Sequence, residues 1–282
     1  MALKLMYITN RPDVAQIAEN SGVDRIFVDM EFIGKDERQR GMDSVKNHHT
    51  VEDVKAVRQV ISKAELLVRV NPIHDALPDY PSSRDEIDAV IAAGADIVML
   101  PYFKTLAEVQ KFLAYVGGRA RTMLLLETSD AVDILDSILQ LDGIDEIHIG
   151  LNDLSICYGK KFLFELLTDG TVERLCRQLE MRGIFYGFGG IASLGRGMVP
   201  AEMIIKEHYR LGSHMAILSR SFCNVDKFQD IKAIEEIFFR GIREIRVFEK
   251  ECAFHTKYFT DNIKGLRAAV KDVVAMKESE GK

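Results

Sequence analysis

The sequence predicts an α/β protein in which eight parallel strands close into a (β/α)8 barrel. Eight short apolar runs alternate along the chain with stretches of helical periodicity, and continuous apolar runs are typical of parallel strands covered by helices. Several of the helical stretches end on a glycine just before the next strand, at Gly22, Gly94, Gly183 and Gly212, which is a common C-terminal stop. Eight such units in about 220 residues fit a TIM barrel better than an open sheet.

The elements follow one another in a regular order. The strand candidates are KLMYIT, RIFVDM, ELLVRVN, DIVMLPYF, RTMLLLE, EIHIGLN, IFYGFGG and HMAILSR. The helical candidates include DVAQIAENSG, TVEDVKAVRQVISK, RDEIDAVIAAG, LAEVQKFLAYV, SDAVDILDSILQL, VERLCRQLEMRG and PAEMIIKEHYRLG. After the eighth strand, residues 229–282 approximately hold more helix than one barrel unit needs, so we predict additional C-terminal helices. No linker rich in Pro, Gly or Ser interrupts the pattern, and we expect a single domain over residues 1–282.

The composition narrows the class of protein. The chain has 282 residues, of which 47% are hydrophobic, and a formal net charge of −6. The acidic balance argues against a nucleic-acid partner. No stretch reaches the roughly 20 apolar residues of a membrane span, and the first residues lack the features of a signal peptide. We therefore expect a cytoplasmic protein with no membrane partner, whose four widely spaced cysteines are free thiols.

Charged residues stand where the predicted strands end, which is where TIM-barrel enzymes carry their chemistry. The second strand ends at Asp29 and Glu31, the third carries Arg69, the fifth ends at Glu127 and the sixth runs into Asp153. Alone, each carboxylate could cap a helix or pair with a lysine. Because the last two lie one βα unit apart, we expect them to be neighbours, and two neighbouring carboxylates suit a hard divalent cation such as Mg²⁺.

Two further segments carry candidate residues for the reaction. The long charged segment EFIGKDERQRGMDSVKNHHT contains His48 and His49, which could transfer protons near neutral pH or could be the solvated end of a loop. His148, within the sixth strand, is expected to be a structural histidine. Glycines in GFGGIASLGRG, among them Gly189 and Gly190, could let backbone N–H groups approach an anion; a tight turn explains them equally well.

The sequence resembles the HpcH/HpaI aldolase and citrate lyase β-subunit family of phosphoenolpyruvate/pyruvate barrels. The resemblance rests on FVDMEF, LLVRVNP, AVIAAGADIVMLPYFKT, LLLETSDAVDILDSI and GLNDLS, and it covers roughly residues 20–225. It implies that Glu127 and Asp153 bind the metal ion, Mg²⁺ or Mn²⁺, and that Arg69 binds substrate and stabilises an enolate. It also implies that Asp29 and Glu31 lie near the water shell of the metal ion.

The resemblance has one gap. The aldolase branch of the family carries a histidine after the acidic motif of the second strand and an aspartate on the helix before the fourth strand. The corresponding residues here are Phe32 and Ala92. The acid/base pair implied by the family is therefore missing, and the choice between the aldolase branch and the citrate-lyase-like branch stays open.

From the residues and the resemblance together we expect a metal-dependent carbon–carbon lyase, a class II aldolase acting next to a pyruvate-type enolate. Arg69, Asn152, Gly189 and Gly190 are the expected substrate contacts. The expected partners are a small 2-oxo acid or aldehyde and further copies of the chain, in a trimer or hexamer by resemblance. One alternative is an acyl-CoA lyase or thioesterase acting on malyl- or citramalyl-CoA-like substrates. A second, less favoured alternative is a non-catalytic binding subunit.

Overall fold

The computed structural model describes residues 2–35, 48–225, 230–254 and 256–280. Eight strands form a closed barrel in sequence order, β1 to β8, and this confirms the predicted TIM-barrel fold. The strands are β1 Lys4–Ile8, β2 Arg25–Asp29, β3 Glu65–Arg69, β4 Ile97–Leu100, β5 Arg121–Leu126, β6 Glu146–Ile149, β7 Phe185–Ile191 and β8 Met215–Leu218. The neighbouring strands from β2 to β5 pair in parallel, as do β7 and β8.

Helices follow the strands, most of them where the periodicity predicts. They are α1 Pro12–Asn20, α2 Val51–Val60, α3 Ser83–Ala92, α4 Leu106–Val116, α5 Ser129–Asp133, α6 Leu135–Ile138, α7 Leu151–Cys157, α8 Glu165–Thr168, α9 Thr171–Met181, α10 Ala201–Arg210, α11 Ile231–Phe254 and α12 Phe259–Glu280. The last two, of 24 and 22 residues, confirm the extra C-terminal helical segment. The glycines that were expected to end helices all have positive φ, from 66° at Gly183 and Gly212 to 99° at Gly94.

Contacts divide the chain into two compact units. One unit holds Tyr7–Asn20 and Asp24–Ile147, and the other holds Met1–Met6, Ser21–Val23 and His148–Lys282. In the first unit, β2 is buried at every position and β5 at every position after Arg121. In the second unit, Phe188 and Met215 are fully buried. Each unit therefore has strands lined by apolar side chains, as the continuous apolar runs predict.

The amino ends of four strands in the first unit carry an ion-pair network. Arg25, the first residue of β2, is 1% exposed and donates from both terminal guanidinium nitrogens to Glu146, the first residue of β6, at 2.5 and 2.7 Å. Its Nε also donates to Glu65, the first residue of β3, at 2.8 Å. Arg121, the first residue of β5, contacts the same two carboxylates. Charges at this end of a barrel serve stability rather than catalysis.

The prediction about the cysteines is also confirmed, and two helices have side-chain caps. None of the four cysteines forms a disulfide, and Cys157 is exposed while the other three are buried. Thr50 caps α2 in a reciprocal capping box with Asp53, and Thr128 caps α5 by accepting from the Ala131 N–H. Within the described ranges, no helix combines the length and the apolar character that a bilayer crossing requires.

Candidate active site

In the first unit, a compact cluster of charges lies at the carboxyl ends of β2 and β3. Arg69 donates from Nε and Nη2 to the two carboxylate oxygens of Asp29, both at 2.7 Å. Its Nη1 is 3.4 Å from Glu31. Lys35 Nζ lies 3.1 Å from Asp29 and 3.5 Å from Glu31. The structure thus brings together three residues that the sequence nominated, and it adds a lysine.

The register of the sheet explains why these side chains meet. Asp29 and Arg69 are the last residues of their strands and are direct partners in the parallel pairing of β2 with β3. A parallel sheet brings the carboxyl ends of its strands to the same edge, so the carboxylate and the guanidinium project from adjacent positions. The planar fork of arginine matches a carboxylate in two parallel hydrogen bonds, which fixes the orientation of Arg69.

The electrostatic balance of this cluster keeps Arg69 charged. Burial alone would lower the pKa of Arg69, but the charges of Asp29 and Glu31 outweigh burial and raise the pKa well above its ordinary value. Glu127 adds to the same effect. Arg69 is therefore a fixed positive charge that interacts with three carboxylates from the ends of two strands, β2 and β5.

His49 lies beside this cluster. Its Nδ1 accepts the backbone N–H of Asp29 at 3.0 Å. Burial lowers the pKa of His49, although the charge of Asp29 opposes this, so the ring is neutral near pH 7. Since Nδ1 uses its lone pair on the amide, the ring proton sits on Nε2. His48 is exposed, with its ring 6.2 Å from that of Phe32.

Glu127 directly follows β5 and is only 5% exposed. One of its oxygens accepts the backbone N–H of Tyr102 at 3.0 Å. Tyr102 has φ of 47°, and it is the one described residue other than glycine with a positive φ. A left-handed conformation costs a non-glycine residue about 1–2 kcal/mol, and such strain is concentrated at functional sites. Helix α5 is capped by Thr128 and not by Glu127.

In the second unit, Asp153 lies in the first turn of α7, the helix that follows β6, and is 6% exposed. The sequence placed Asn152 and Asp153 at the strand end, and the structure places both residues inside this helix. Asn152 is exposed, and its side-chain amide donates to Asp153 at 3.2 Å.

The glycines after the middle of β7 have a packing explanation. A Cβ on Gly189, whose φ is 51°, would lie 2.7 Å from a methyl carbon of Leu151, and one on Gly190 would lie 3.2 Å from the Ile217 carbonyl oxygen. His148 is 1% exposed, with Nε2 3.2 Å from the carbonyl oxygen of Gly189. A substrate contact at Gly189 and Gly190 remains a prediction.

Sequence reasoning missed Lys35 and Tyr102, and it also missed a hydrogen bond from the Tyr80 hydroxyl to Glu86 in the segment that follows β3. Lys35 had only a weak signal, its position four residues after Glu31 in a charged segment. Tyr102 gave no signal, because a left-handed backbone at a tyrosine cannot be deduced from local sequence. The pairing of Tyr80 with Glu86 depends on a loop conformation, and the sequence showed only a helix start nearby. Most of the long charged segment, residues 36–47, lies outside the described residues.

A closed parallel barrel with charged residues at the carboxyl ends of its strands places the protein in the TIM-barrel class, whose members carry their chemistry at those strand ends. The chain belongs to the HpcH/HpaI aldolase/citrate lyase family, whose model matches residues 4–162. The family resemblance deduced from the sequence is thereby confirmed. Among curated proteins, no sequence matches this chain.

Solved structures show the same fold. The chain is similar to an HpcH/HpaI aldolase from Desulfitobacterium hafniense DCB-2, with 17% identity, a TM-score of 0.57, and coverage of 87% of this chain and 93% of the other. It is also similar to an HpcH/HpaI aldolase/citrate lyase family protein from Burkholderia cenocepacia J2315, with 14% identity, a TM-score of 0.58, and coverage of 84% and 95%.

Proposed function

We propose that this chain is a divalent-metal-dependent carbon–carbon lyase that cleaves or forms the bond next to a pyruvate-type enolate. The observation that carries this proposal is the guanidinium of Arg69, held by Asp29 and Glu31 and influenced by Glu127 at the carboxyl ends of the strands. Membership of a lyase family supports the reaction class. The substrate would be a small 4-hydroxy-2-oxo acid.

The donor set suits a hard cation. Glu127 and Asp153 are both buried carboxylates, and Mg²⁺ is commonly held by one or two carboxylates with waters and substrate oxygens completing the shell. Among the described residues, no group of three or more His, Cys, Asp and Glu side chains could hold an ion by itself. We propose that Glu127 and Asp153 are the protein ligands of Mg²⁺ or Mn²⁺. When bound, such a cation would polarise the keto oxygen of the substrate as a Lewis acid.

Arg69 would hold the oxygen on which negative charge develops. An arginine side chain has five N–H donors, and the contacts with Asp29 and Glu31 engage up to three of them. The remaining N–H groups can donate to a substrate carboxylate or enolate oxygen. Because Asp29 already fixes the guanidinium, little reorganisation is needed as charge builds up, and such preorganised charge is an efficient source of catalysis.

His49 would act as a hydrogen-bond donor. Its Nδ1 already accepts the Asp29 N–H, so the neutral ring has no free lone pair and can offer only the Nε2 proton. A role as general base would require that hydrogen bond to break. His48, which is exposed, remains a second candidate for proton transfer.

The test is release of pyruvate from 4-hydroxy-2-oxo acids with Mg²⁺ or Mn²⁺, with and without EDTA. We expect turnover that EDTA abolishes and that added metal restores. Glu127→Gln and Asp153→Asn should lose turnover with an unchanged far-UV circular dichroism spectrum, whereas Glu108→Gln, at an exposed capping position of α4, should retain it. Turnover that persists without metal would contradict the mechanism.

A second candidate function is favoured by one observation. Phe32 and Ala92 replace the acid/base pair of the aldolase branch, and the citrate-lyase-like branch also lacks that pair. An acyl-CoA lyase or thioesterase would then be the activity. Thermal stabilisation of the chain by CoA esters, with no stabilisation by 2-oxo acids, would favour this function over the aldolase.

We also propose that the chain forms a homo-oligomer. In the second unit, the outer face of α11 forms an apolar groove of about 650 Å³, lined by Leu194, Phe239, Val247 and Phe248 together with charged residues. Phe239 and Val247 are 46% and 53% exposed, which is high for large apolar side chains. Light scattering of the wild type and of Phe239→Ser would test this, with a smaller assembly expected for the variant.

A further inference from the structure

The reaction proposed above needs a group that takes the proton from the hydroxyl of the substrate. Phe32 cannot accept a proton, but its ring packs against the ring of a tyrosine. The ring of Tyr80 meets it edge to face, with centroids 4.9 Å apart and planes at 84°. Tyr80 belongs to the segment between β3 and α3, and it places a phenol beside the turn that follows Asp29 and Glu31.

The phenol of Tyr80 is bonded to a buried carboxylate. Its OH donates to Glu86 Oε1 at 2.9 Å. Glu86 lies in the first turn of α3 and is 1% exposed. The backbone of Tyr80 forms an antiparallel bridge with Leu77, with hydrogen bonds of 2.9 and 3.3 Å. The position of Tyr80 is therefore fixed by hydrogen bonds of its backbone as well as by the hydrogen bond of its hydroxyl.

Asn71 connects this pair to the candidate active site. Its side-chain NH₂ donates to Glu86 at 2.8 Å and to the Tyr80 oxygen at 3.2 Å. Its Oδ1 accepts the backbone N–H groups of Phe32 and Ile33, both at 2.9 Å. Asn71 follows Arg69 by two residues, and Phe32 directly follows Glu31, so these hydrogen bonds join the pair to the two chain segments that carry the candidate site.

The surroundings of Tyr80 and Glu86 raise the pKa of both side chains. Burial raises the pKa of Glu86 above its ordinary value, although hydrogen bonds from Asn71 and Tyr80 oppose this. Burial also raises the pKa of Tyr80, and the charge of Glu86 adds to it, so the phenol stays neutral. Tyr80 and His74 are the titratable side chains among the main influences on Glu86, and the charge of His74 lowers the pKa of Glu86 while burial raises it.

We propose that Tyr80 and Glu86 form the proton relay of the lyase reaction, an inference that rests on the proposed function. A phenol oxygen has two lone pairs, and Asn71 uses one of them. The other accepts the hydroxyl proton of the substrate while the Tyr80 proton passes to Glu86. The O–H electron pair becomes the new carbonyl bond of the aldehyde, and the electrons of the broken C–C bond remain on the pyruvate enolate.

The relay must return to its first state after each turnover. The enolate takes a proton from water, and Glu86 releases its proton through Tyr80 to the hydroxide that is left. No proton is gained or lost overall. Binding and orientation of the 2-oxo acid do not involve this pair.

Oxaloacetate is a second substrate that allows the relay to be tested separately from the rest of the site. Its decarboxylation gives the same pyruvate enolate, but the leaving group is CO₂ and no hydroxyl loses a proton. For Tyr80→Phe and Glu86→Gln, we expect the turnover rate in cleavage of the hydroxy-oxo acid substrate to fall by about 100-fold or more. The turnover rate in decarboxylation of oxaloacetate should stay within about 3-fold of the wild type.

Tyr115→Phe is the matched control, because it makes the same chemical change at a tyrosine of α4 that packs against Arg84; both rates should equal those of the wild type. Equal losses of both reactions in Tyr80→Phe would indicate a merely structural role and overturn the relay, as would unchanged cleavage. A wild type that carries out neither reaction with Mg²⁺ or Mn²⁺ would overturn the proposed function itself. Tyr80→Phe keeps the ring that packs on Phe32, so the test does not depend on the folding of Glu86→Gln.

Discussion

A buried histidine makes the stability of the second unit depend on pH. His208, in α10, is fully buried, and its ring stacks on that of Phe188 with centroids 3.9 Å apart and planes at 2°. Its Nδ1 is 2.8 Å from the hydroxyl of Ser213, and its Nε2 has no hydrogen-bond partner among the described residues. Burial lowers the pKa of His208 from 6.5 to about 3, and His148 adds a smaller effect.

The sign of the effect follows from proton linkage. The unfolded chain takes up a proton at this histidine as the pH falls through about 6.5, whereas the folded chain takes it up only near a pKa of about 3. Acid between these values therefore favours unfolding. At about pH 5, the difference of 1.5 pH units below the unfolded pKa corresponds to a loss of about 2 kcal/mol relative to about pH 7.

Urea unfolding, followed by far-UV circular dichroism at the two pH values, measures this loss. In the wild type, His208 and every other titrating group contribute to the change in the free energy of unfolding between the two pH values. In His208→Gln, only the contribution of His208 is missing. The fall in the free energy of unfolding should be about 2 kcal/mol smaller in His208→Gln than in the wild type. His48→Gln, at an exposed histidine, is the control and should behave as the wild type. Equal falls in the wild type and His208→Gln would refute the reasoning, because His208 would then titrate normally in the folded chain.

Three further predictions concern the ion-pair network, the strained backbone and the guanidinium. Arg25→Met should lower the free energy of unfolding by about 3–5 kcal/mol, because the buried Glu146 would keep only its 3.3 Å contact with Arg121. Arg25→Met with Glu146→Leu should recover most of this loss in urea melts, and no recovery would contradict the prediction. Tyr102→Gly should be about 1 kcal/mol more stable than Tyr102→Ala, and a more stable alanine variant would show that φ is not positive. Arg69→Lys should lower the turnover rate by about 100-fold, and a rate equal to that of the wild type would remove Arg69 from the mechanism.

The barrel could be predicted because local sequence determines it. Parallel strands buried on both faces give continuous apolar runs, and glycine is the residue that most easily adopts the positive φ that ends a helix. The prediction of helices was wrong or incomplete where the helical periodicity is weak. SDAVDILDSILQL gave one helical candidate, but the structure has two short helices, α5 and α6, that meet at Ile134. The short helices α7 and α8 after β6 were not expected as helices.

The candidate site was predictable in part for the same reason. Residues at strand ends, such as Asp29 and Arg69, could be nominated because the barrel topology fixes where strands end. Lys35, which contacts Asp29 and Glu31, could not be nominated in this way, because its position depends on the conformation of the loop after β2. The hydrogen bond between Tyr80 and Glu86 likewise depends on a loop conformation that no sequence period encodes. The tautomer of His49 likewise depends on the backbone N–H of Asp29, which lies 20 residues earlier in the chain, and the sequence does not reveal this contact.

The central proposal is that Glu127 and Asp153 bind one divalent cation. Calorimetric titration with Mn²⁺ tests this most directly, since it needs no knowledge of the substrate. We predict binding of one ion per wild-type chain, and its loss in Glu127→Gln and in Asp153→Asn while the unfolding midpoints stay near that of the wild type. Binding of Mn²⁺ to both variants with the wild-type affinity, or no binding to the wild type, would contradict the account.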